Sequence, residues 1–414
     1  MSEAEADDRE AADAAAYLLS APAIRERSAL LFDRIESGQS AYFDFAPEAL
    51  PQIADQVAAL TRSRFPDLNV PFHARWRHFE VGGVDRFAGL ASARQWASPE
   101  EAARAMADLA IVSVLLDAGA GADWTYEEAA TGTRAGRSEG LGLASFAMFA
   151  AGAFSAVPAD PLRADADGLQ SLTEAEFEAG FQIYADNPLS GASGRRMLLN
   201  DLAMAVRSAP DIFAIDDAPR PGGIIDYLAG EADDGRLPAA AILSAVLEGL
   251  GPIWPSRIEL AGIPLGDTWR HPDLHEKGPG GDLVPFHKLS SWLSYSLIEP
   301  LTVRGIDVVD IDGLTGLAEY RNGGLFVDGG ALRLRQPAAE PLPVDHPMII
   351  EWRAATVTLL DRIAPLIRDT LGAPDMPLAS ILEGGTWLQG RRLAAELRPD
   401  NSPPIAIQSD GTVF

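Results

Sequence analysis

Apolar positions recur at helical spacing along most of the chain. Ile24, Leu30, Leu31 and Ile35 form one stripe within Ala11–Ser37; Ala49, Leu50, Ile53, Val57 and Leu60 form another within Pro47–Arg64. The stretch SPEE at Ser98 opens a helix predicted over Pro99–Ala118, and TEAE at Thr173 predicts a capping box ahead of a helix over Thr173–Tyr184. The same periodicity predicts helices over Ser193–Ala209, Leu237–Leu250, Leu289–Val303, Met348–Leu371 and Pro377–Arg398. Gly140–Val157, with its small residues, reads as a buried helix pair and not as a membrane span. Strand signals are confined to Ile306–Asp312, Gly324–Asp328 and Ala331–Arg335, short and turn-bounded, which predict a small β-hairpin near 306–335 on a mainly α body.

No repeat of solenoid length appears, and no Pro/Ser/Gly linker divides the chain. The expected organisation is a disordered acidic tail over 1–10 and one large helical unit over 11–414. Its N-terminal portion runs to about 235, and the portion from about 236 carries the candidate catalytic residues.

Charge and composition narrow the function. The 414 residues carry a formal net charge of -27, which argues against nucleic-acid backbones and anionic membranes as partners, since both require basic stripes. The chain has no cysteine, so disulfides, thiolate metal sites and a cysteine nucleophile are excluded. With no basic n-region or apolar h-region at the N-terminus, a cytoplasmic location is expected. The expected partner is a small-molecule substrate; a second copy or other enzymes of a pathway also suit an acidic helical surface. Nucleotide cofactors find no GxGxxG or Walker A motif, and HExxH and GxSxG are missing, so neither cofactor nor metal is expected. His271 and His275 stand four apart, but Pro272 between them disfavours a helical ligand pair.

Against an Ala/Leu background, polar residues cluster among Gly and aromatics. VPFH occurs twice, at Val70–His73 and Val284–His287. The first is followed by Arg75 and Trp76, the second at once by Lys288, in a chain that otherwise uses arginine almost exclusively. DGLTGLAEYRNGGL supplies Asp312, Glu319, Tyr320 and Arg321; EWR supplies Glu351 and Arg353; IWPSRI, LGDTWRH, RSEGL, LEGGTW and the terminal SDGTVF complete the set. Each taken singly reads as packing; together they predict a polar pocket with aromatic walls. A shared cavity for His73 and Lys288 is the reading of the VPFH echo.

These motifs together, from about Leu18 to Phe414, resemble an uncharacterised family linked to uracil catabolism in fungi and bacteria, a route thought to release urea from ribosylated, ring-opened intermediates. The order PFHK, D-x-LTGLAEYR-x-GG and EWRAATV is also distantly similar to the queuosine-nucleotide N-glycosidases. That resemblance implies a helical body related to the helix-hairpin-helix DNA glycosylases. It also implies active-site roles for the carboxylate at Glu319 and for Lys288. The sequence departs from that family with Glu for Asp and NGG for V-P-Q, which implies a different, smaller base or leaving group.

Cleaving an N-ribosyl bond builds positive charge on the sugar, which a carboxylate stabilises while activating water. Glu319 is the expected catalytic carboxylate and Lys288 the group holding ribose or phosphate oxygens or protonating the leaving nitrogen. Arg321 would fix Glu319 or take a phosphate. Trp292 and Tyr295, three apart on one helix, either wall the pocket or belong to the core. His73, Arg75, Trp76, Tyr320, Asp312, Arg353 and Glu351 are the remaining candidate substrate-binding or supporting residues. The expected activity is an N-ribosyl hydrolase acting on a ribosylurea-type or nucleotide-derived intermediate. The alternatives are a metal-dependent amidohydrolase of a ureido intermediate and a non-catalytic intermediate-binding protein.

Overall fold

The structure is a computed structural model that describes residues 3–408 except 95, 118, 122, 216–217, 255–257 and 338–339. Arg257 and the SDGTVF stretch over 409–414 therefore lie outside the described residues. The protein is mainly α, with only short strand pairs and no closed sheet among the described residues.

The helix starts follow local chemistry. Ser98 accepts the Glu101 amide at the head of Pro99–Leu115, and Thr173 and Glu176 close a capping box on Glu174–Gly180. At the N-terminus the segment read as a disordered tail is helical: the first helix runs Glu3–Leu18 and packs beside Ala21–Glu36, whose N-cap is Ser20. The stretch Gly140–Val157 forms one helix, Arg137–Ala150, that ends before Gly152 at φ +80°, and not a pair.

Pro99–Leu115 is buried almost all round and packs along Lys288–Arg304 at the centre of the molecule. Pro347–Leu371, the longest helix, covers Ala21–Glu36 and Leu50–Arg64. One continuous apolar core extends from Ala21 to Ile405, and a small second cluster joins Ala15 and Leu18 to Leu265 and Leu283. Among the described residues no helix is long and apolar enough to cross a membrane.

The hairpin expected near 306–335 does not form. Asp307–Val309 pairs in parallel with Arg236–Pro238, and Leu332–Leu334 pairs antiparallel with Phe43–Phe45. Between them GLFVD, Gly324–Asp328, read as a strand, continues the helix Tyr320–Asp328, because the Glu319 side chain caps its first amides and fixes a helical start. That helix lies so close to Trp387–Leu397 that a Cβ at Gly390 would stand 2.0 Å from the Arg321 carbonyl oxygen. Only glycine permits this approach, and it sets Arg321 beside the C-terminal helix.

Candidate active site

Segments far apart in sequence converge on a cavity of about 400 Å³. His73 and His78 come from the first VPFH segment and the turn that follows it. Asp117 lies just beyond the Pro99–Leu115 helix, and Arg137 and Ser138 begin the Arg137–Ala150 helix. Lys288 and Trp292 sit one turn apart on Lys288–Arg304, while Glu319, Tyr320 and Arg321 stand at the head of Tyr320–Asp328; Trp387 and residues 400–403 close the wall.

The second VPFH delivers Lys288 through a strained turn. Leu283–Pro285 pairs with Thr268–Arg270, and then His287 adopts φ +44°, left-handed for a non-glycine residue. Three contacts over-determine this conformation. The His287 ring Nε2 lies 2.9 Å from the Leu18 carbonyl oxygen; the Lys288 amide donates to Asp267 Oδ2 at 3.0 Å; and Arg353 forks both Asp267 oxygens at 2.7 Å. Burial alone would raise the Asp267 pKa. The Arg353 charge and hydrogen bonds, with those of Trp269 and the Lys288 amide, outweigh it and hold the carboxyl ionised. The two VPFH stretches are thus unlike in architecture: the first is irregular, the second a strand, and His287 faces Leu18 and not the cavity. His73 and Lys288 nevertheless line the same space.

Glu319 presents a buried carboxylate held by backbone amides. Its two oxygens accept the Arg321 amide at 2.6 Å and the Asn322 amide at 2.5 Å. Desolvation outweighs these bonds and the charges of Lys288 and His73, so its pKa is raised. Burial lowers the pKa of Lys288, against the pull of Glu319 and Asp117. Among the described residues no carboxylate lies within ion-pair distance of the Lys288 ammonium, and it donates no hydrogen bond. The two groups therefore have proton affinities closer together than in water. Arg321 donates to the Asn401 carbonyl at 3.1 Å and stacks 4.8 Å over Tyr320.

His73 Nδ1 lies 2.9 Å from Glu383 Oε2, and its ring sits between Trp292 and Trp387, 6.4 and 6.1 Å away. The LEGGTW stretch explains this placement: a π turn over Leu382–Thr386 sets Glu383 against His73 and brings Trp387 to the cavity wall.

Other candidates lie outside the lining. Trp76 is core: Pro300 lacks an amide, which frees the Ser296 carbonyl, and Trp76 Nε1 donates to that oxygen at 2.8 Å. Tyr295 is fully buried, its hydroxyl donating to the Thr315 carbonyl at 2.9 Å. Asp312 is at the surface, where it pairs with Arg368 and accepts the Leu378 amide. Arg75 stands behind the wall, donating to Ser113, Asp117 and the Ser138 carbonyl. Arg353 acts on the cavity through Asp267 and stacks 4.2 Å over Phe286.

Glu351 belongs to a separate group with His271 and Asp273, whose ligand-capable atoms lie within 4.8 Å of one another. Burial pushes the Glu351 carboxyl up to about 7, with the Ser40 hydroxyl pulling the other way. The Asp273 amide donates to His271 Nδ1 at 3.2 Å, so in the neutral ring Nε2 carries the proton; it stands 3.5 Å from Glu351 Oε1 without hydrogen bonding to it. That tautomer is the wrong one for coordination through Nε2.

His78, Arg137 and Trp387, within stretches that the sequence marked as chemical but not assigned roles, line the cavity, and so does Asp117, which was not among the candidates. Asp117 left a signal: in SVLLDAGAG a carboxylate ends an apolar helix, at the terminus where the helix dipole disfavours it.

A profile described as "Protein of unknown function (DUF1688)" matches residues 17–414. The chain is 38% identical over 415 residues to Protein urg3 of Schizosaccharomyces pombe, covering 96% of this chain and 98% of that relative. It is 37% identical over 437 residues to Uracil catabolism protein 4 of Lachancea kluyveri, with the same coverage of both chains. Profile and relatives alike extend over nearly the whole length, through every segment that lines the cavity, and the chain belongs to the DUF1688 family.

Proposed function

We propose that the protein is a hydrolase of uracil catabolism that cleaves the N-ribosyl bond of a ribosylurea-type or nucleotide-derived intermediate. The observation that carries this reading is the pairing in one cavity of an amide-held carboxylate, Glu319, with an unpaired, desolvated ammonium, Lys288. The printed name of the Lachancea kluyveri relative supplies the pathway.

In this reading the anomeric carbon sits over Glu319. The C–N bond breaks with its electron pair passing to the leaving nitrogen, which takes a proton from Lys288. Glu319 stabilises the sugar cation and accepts a proton from the attacking water, whose oxygen bonds to the anomeric carbon. Proton return from Glu319 to Lys288 restores the site. A raised carboxyl pKa and a lowered ammonium pKa ease both transfers. Arg137 and Arg321, with the amide end of the helix that begins at Arg137, suit an anionic or hydroxyl-rich sugar end.

The test is incubation of the purified protein with ribosylurea and with its 5'-phosphate, assaying free urea without added metal. Glu319→Gln is expected to lower the rate on the order of 10²–10⁴-fold. Unchanged turnover in that variant, or no urea from either compound, overturns the proposal.

A further inference from the structure

One wall of the cavity carries polar atoms that the protein itself leaves without partners. Asp117 Oδ2 accepts from Arg75 Nη1 at 3.0 Å, while Oδ1 is buried and unpartnered, and the Asp117 side chain is only 6% exposed. Trp292 Nε1, His78 Nδ1 and Arg75 Nη2 are likewise buried without a hydrogen-bond partner. These groups adjoin one another: the His78 and Trp292 rings are 5.5 Å apart and the Arg75 guanidinium is 5.6 Å from the Trp292 ring. Buried polar atoms without partners are costly, and a native fold that gathers several at one cavity wall has a use for them.

The chemistry of the wall limits what it accepts. A free carboxylate oxygen repels anions in a desolvated setting, and the adjacent Arg75 repels cations. His78 is neutral, since burial pushes its pKa down to about 4 with the Arg75 charge adding to the effect. The wall thus offers an acceptor at Asp117 and an N–H donor at Trp292, beside the His78 and Trp292 rings, which meet edge to face. Its complement is a small neutral group that has both an N–H for Asp117 and a C=O for Trp292.

We propose that Asp117, Trp292 and His78 form a subsite for a neutral amide or ureido group, which on the reading above is the leaving-group end of the substrate. Arg75 is its positioning residue, holding Asp117 by one oxygen and leaving the other for the ligand. Lys288 stands within the field of both Glu319 and Asp117, which suits a proton donor between the sugar and the leaving nitrogen.

Binding to the intact chain tests this apart from turnover. N-methylurea and acetamide are titrated against acetate and methylammonium, with ribose 5-phosphate as the probe of the opposite end. Wild type is expected to bind the two neutral amides and reject the two ions. Asp117→Asn and Trp292→Phe should each weaken N-methylurea about 10–100-fold, the range for a hydrogen bond to a charged or buried partner. Both should leave ribose 5-phosphate within a few-fold of wild type. Trp292→Phe keeps the ring, so it reports on the donor even if Asp117→Asn unfolds the helix end. The subsite is refuted if wild type prefers acetate or methylammonium, fails to bind the neutral probes, or binds them unchanged in Trp292→Phe. A protein that binds N-methylurea through Asp117 yet releases no urea from ribosylurea keeps the subsite and overturns only the hydrolase reading.

Discussion

Replacing Arg353 by Met tests how the fold holds Lys288 in place. Met keeps an unbranched apolar stem but removes the guanidinium, and with it both the fork on Asp267 at two 2.7 Å bonds and the stack 4.2 Å over Phe286. Asp267 would keep the Trp269 indole at 2.7 Å and the Lys288 amide at 3.0 Å, but no cation. A buried charge stripped of its partner costs about 3–5 kcal/mol. With an unfolding entropy of about 2.1 cal/mol/K per residue, a chain of 414 residues has a total near 0.9 kcal/mol/K. The expected fall in Tm is therefore about 3–6 °C by calorimetry. Wild-type Asp267 has a depressed pKa, so its contribution is present above its ordinary value of 3.8 and is lost as pH falls through the folded value. Without Arg353, burial raises that carboxyl instead, and the deficit of the variant should shrink as pH is lowered toward 4. The double variant Asp267→Asn/Arg353→Met removes the charge as well as its partner and should recover about 2 kcal/mol of the loss. An Arg353→Met protein melting within 1 °C of wild type, or strictly additive effects in the cycle, would refute the reasoning.

The pH profile of kcat/KM should be bell-shaped. Its acid limb, from Glu319, should lie above the ordinary 4.5 and its alkaline limb, from Lys288, below the ordinary 10.5; limbs outside those values would contradict the assignment. Trp76→Phe should cost about 1–3 kcal/mol by chemical denaturation, since it strands the buried Ser296 carbonyl, and adding Pro300→Ala should recover part of it by returning a backbone N–H; no recovery would disprove the explanation. His78, neutral when folded, has a pKa pushed from 6.5 down to about 4, so the unfolded chain binds its proton first and stability falls as pH drops from about 6.5 to about 4. The contribution is at most about 3 kcal/mol, and His78→Gln should flatten that part of the acid-denaturation curve.

Local pattern determined most of the helices, because apolar periodicity, caps and the turn residues act within a few positions. The Ser98 cap, the Thr173 box and the starts at Lys288 and Pro347 all stand within a residue or two of where spacing puts them. Residue type alone also marked Lys288, since an ammonium in an arginine-using chain is a rare choice, whereas Glu319 stood out from its polar stretch through the resemblance of EYR to the N-glycosidase pattern. Strand pairing was not legible: Leu332–Leu334 finds Phe43–Phe45 and Asp307–Val309 finds Arg236–Pro238, partners hundreds or dozens of residues away that no local signal names. The acidic first residues read as unfolded because their helix gains a packing partner only in the folded chain. Which side of a helix meets the cavity was likewise a tertiary matter. Trp292 lines it and Tyr295, three residues on, donates into the core, because the neighbours of that helix differ around its circumference. Asp117 became visible as a candidate only when Arg75, from a distant segment, was seen to hold one of its oxygens and leave the other without a partner.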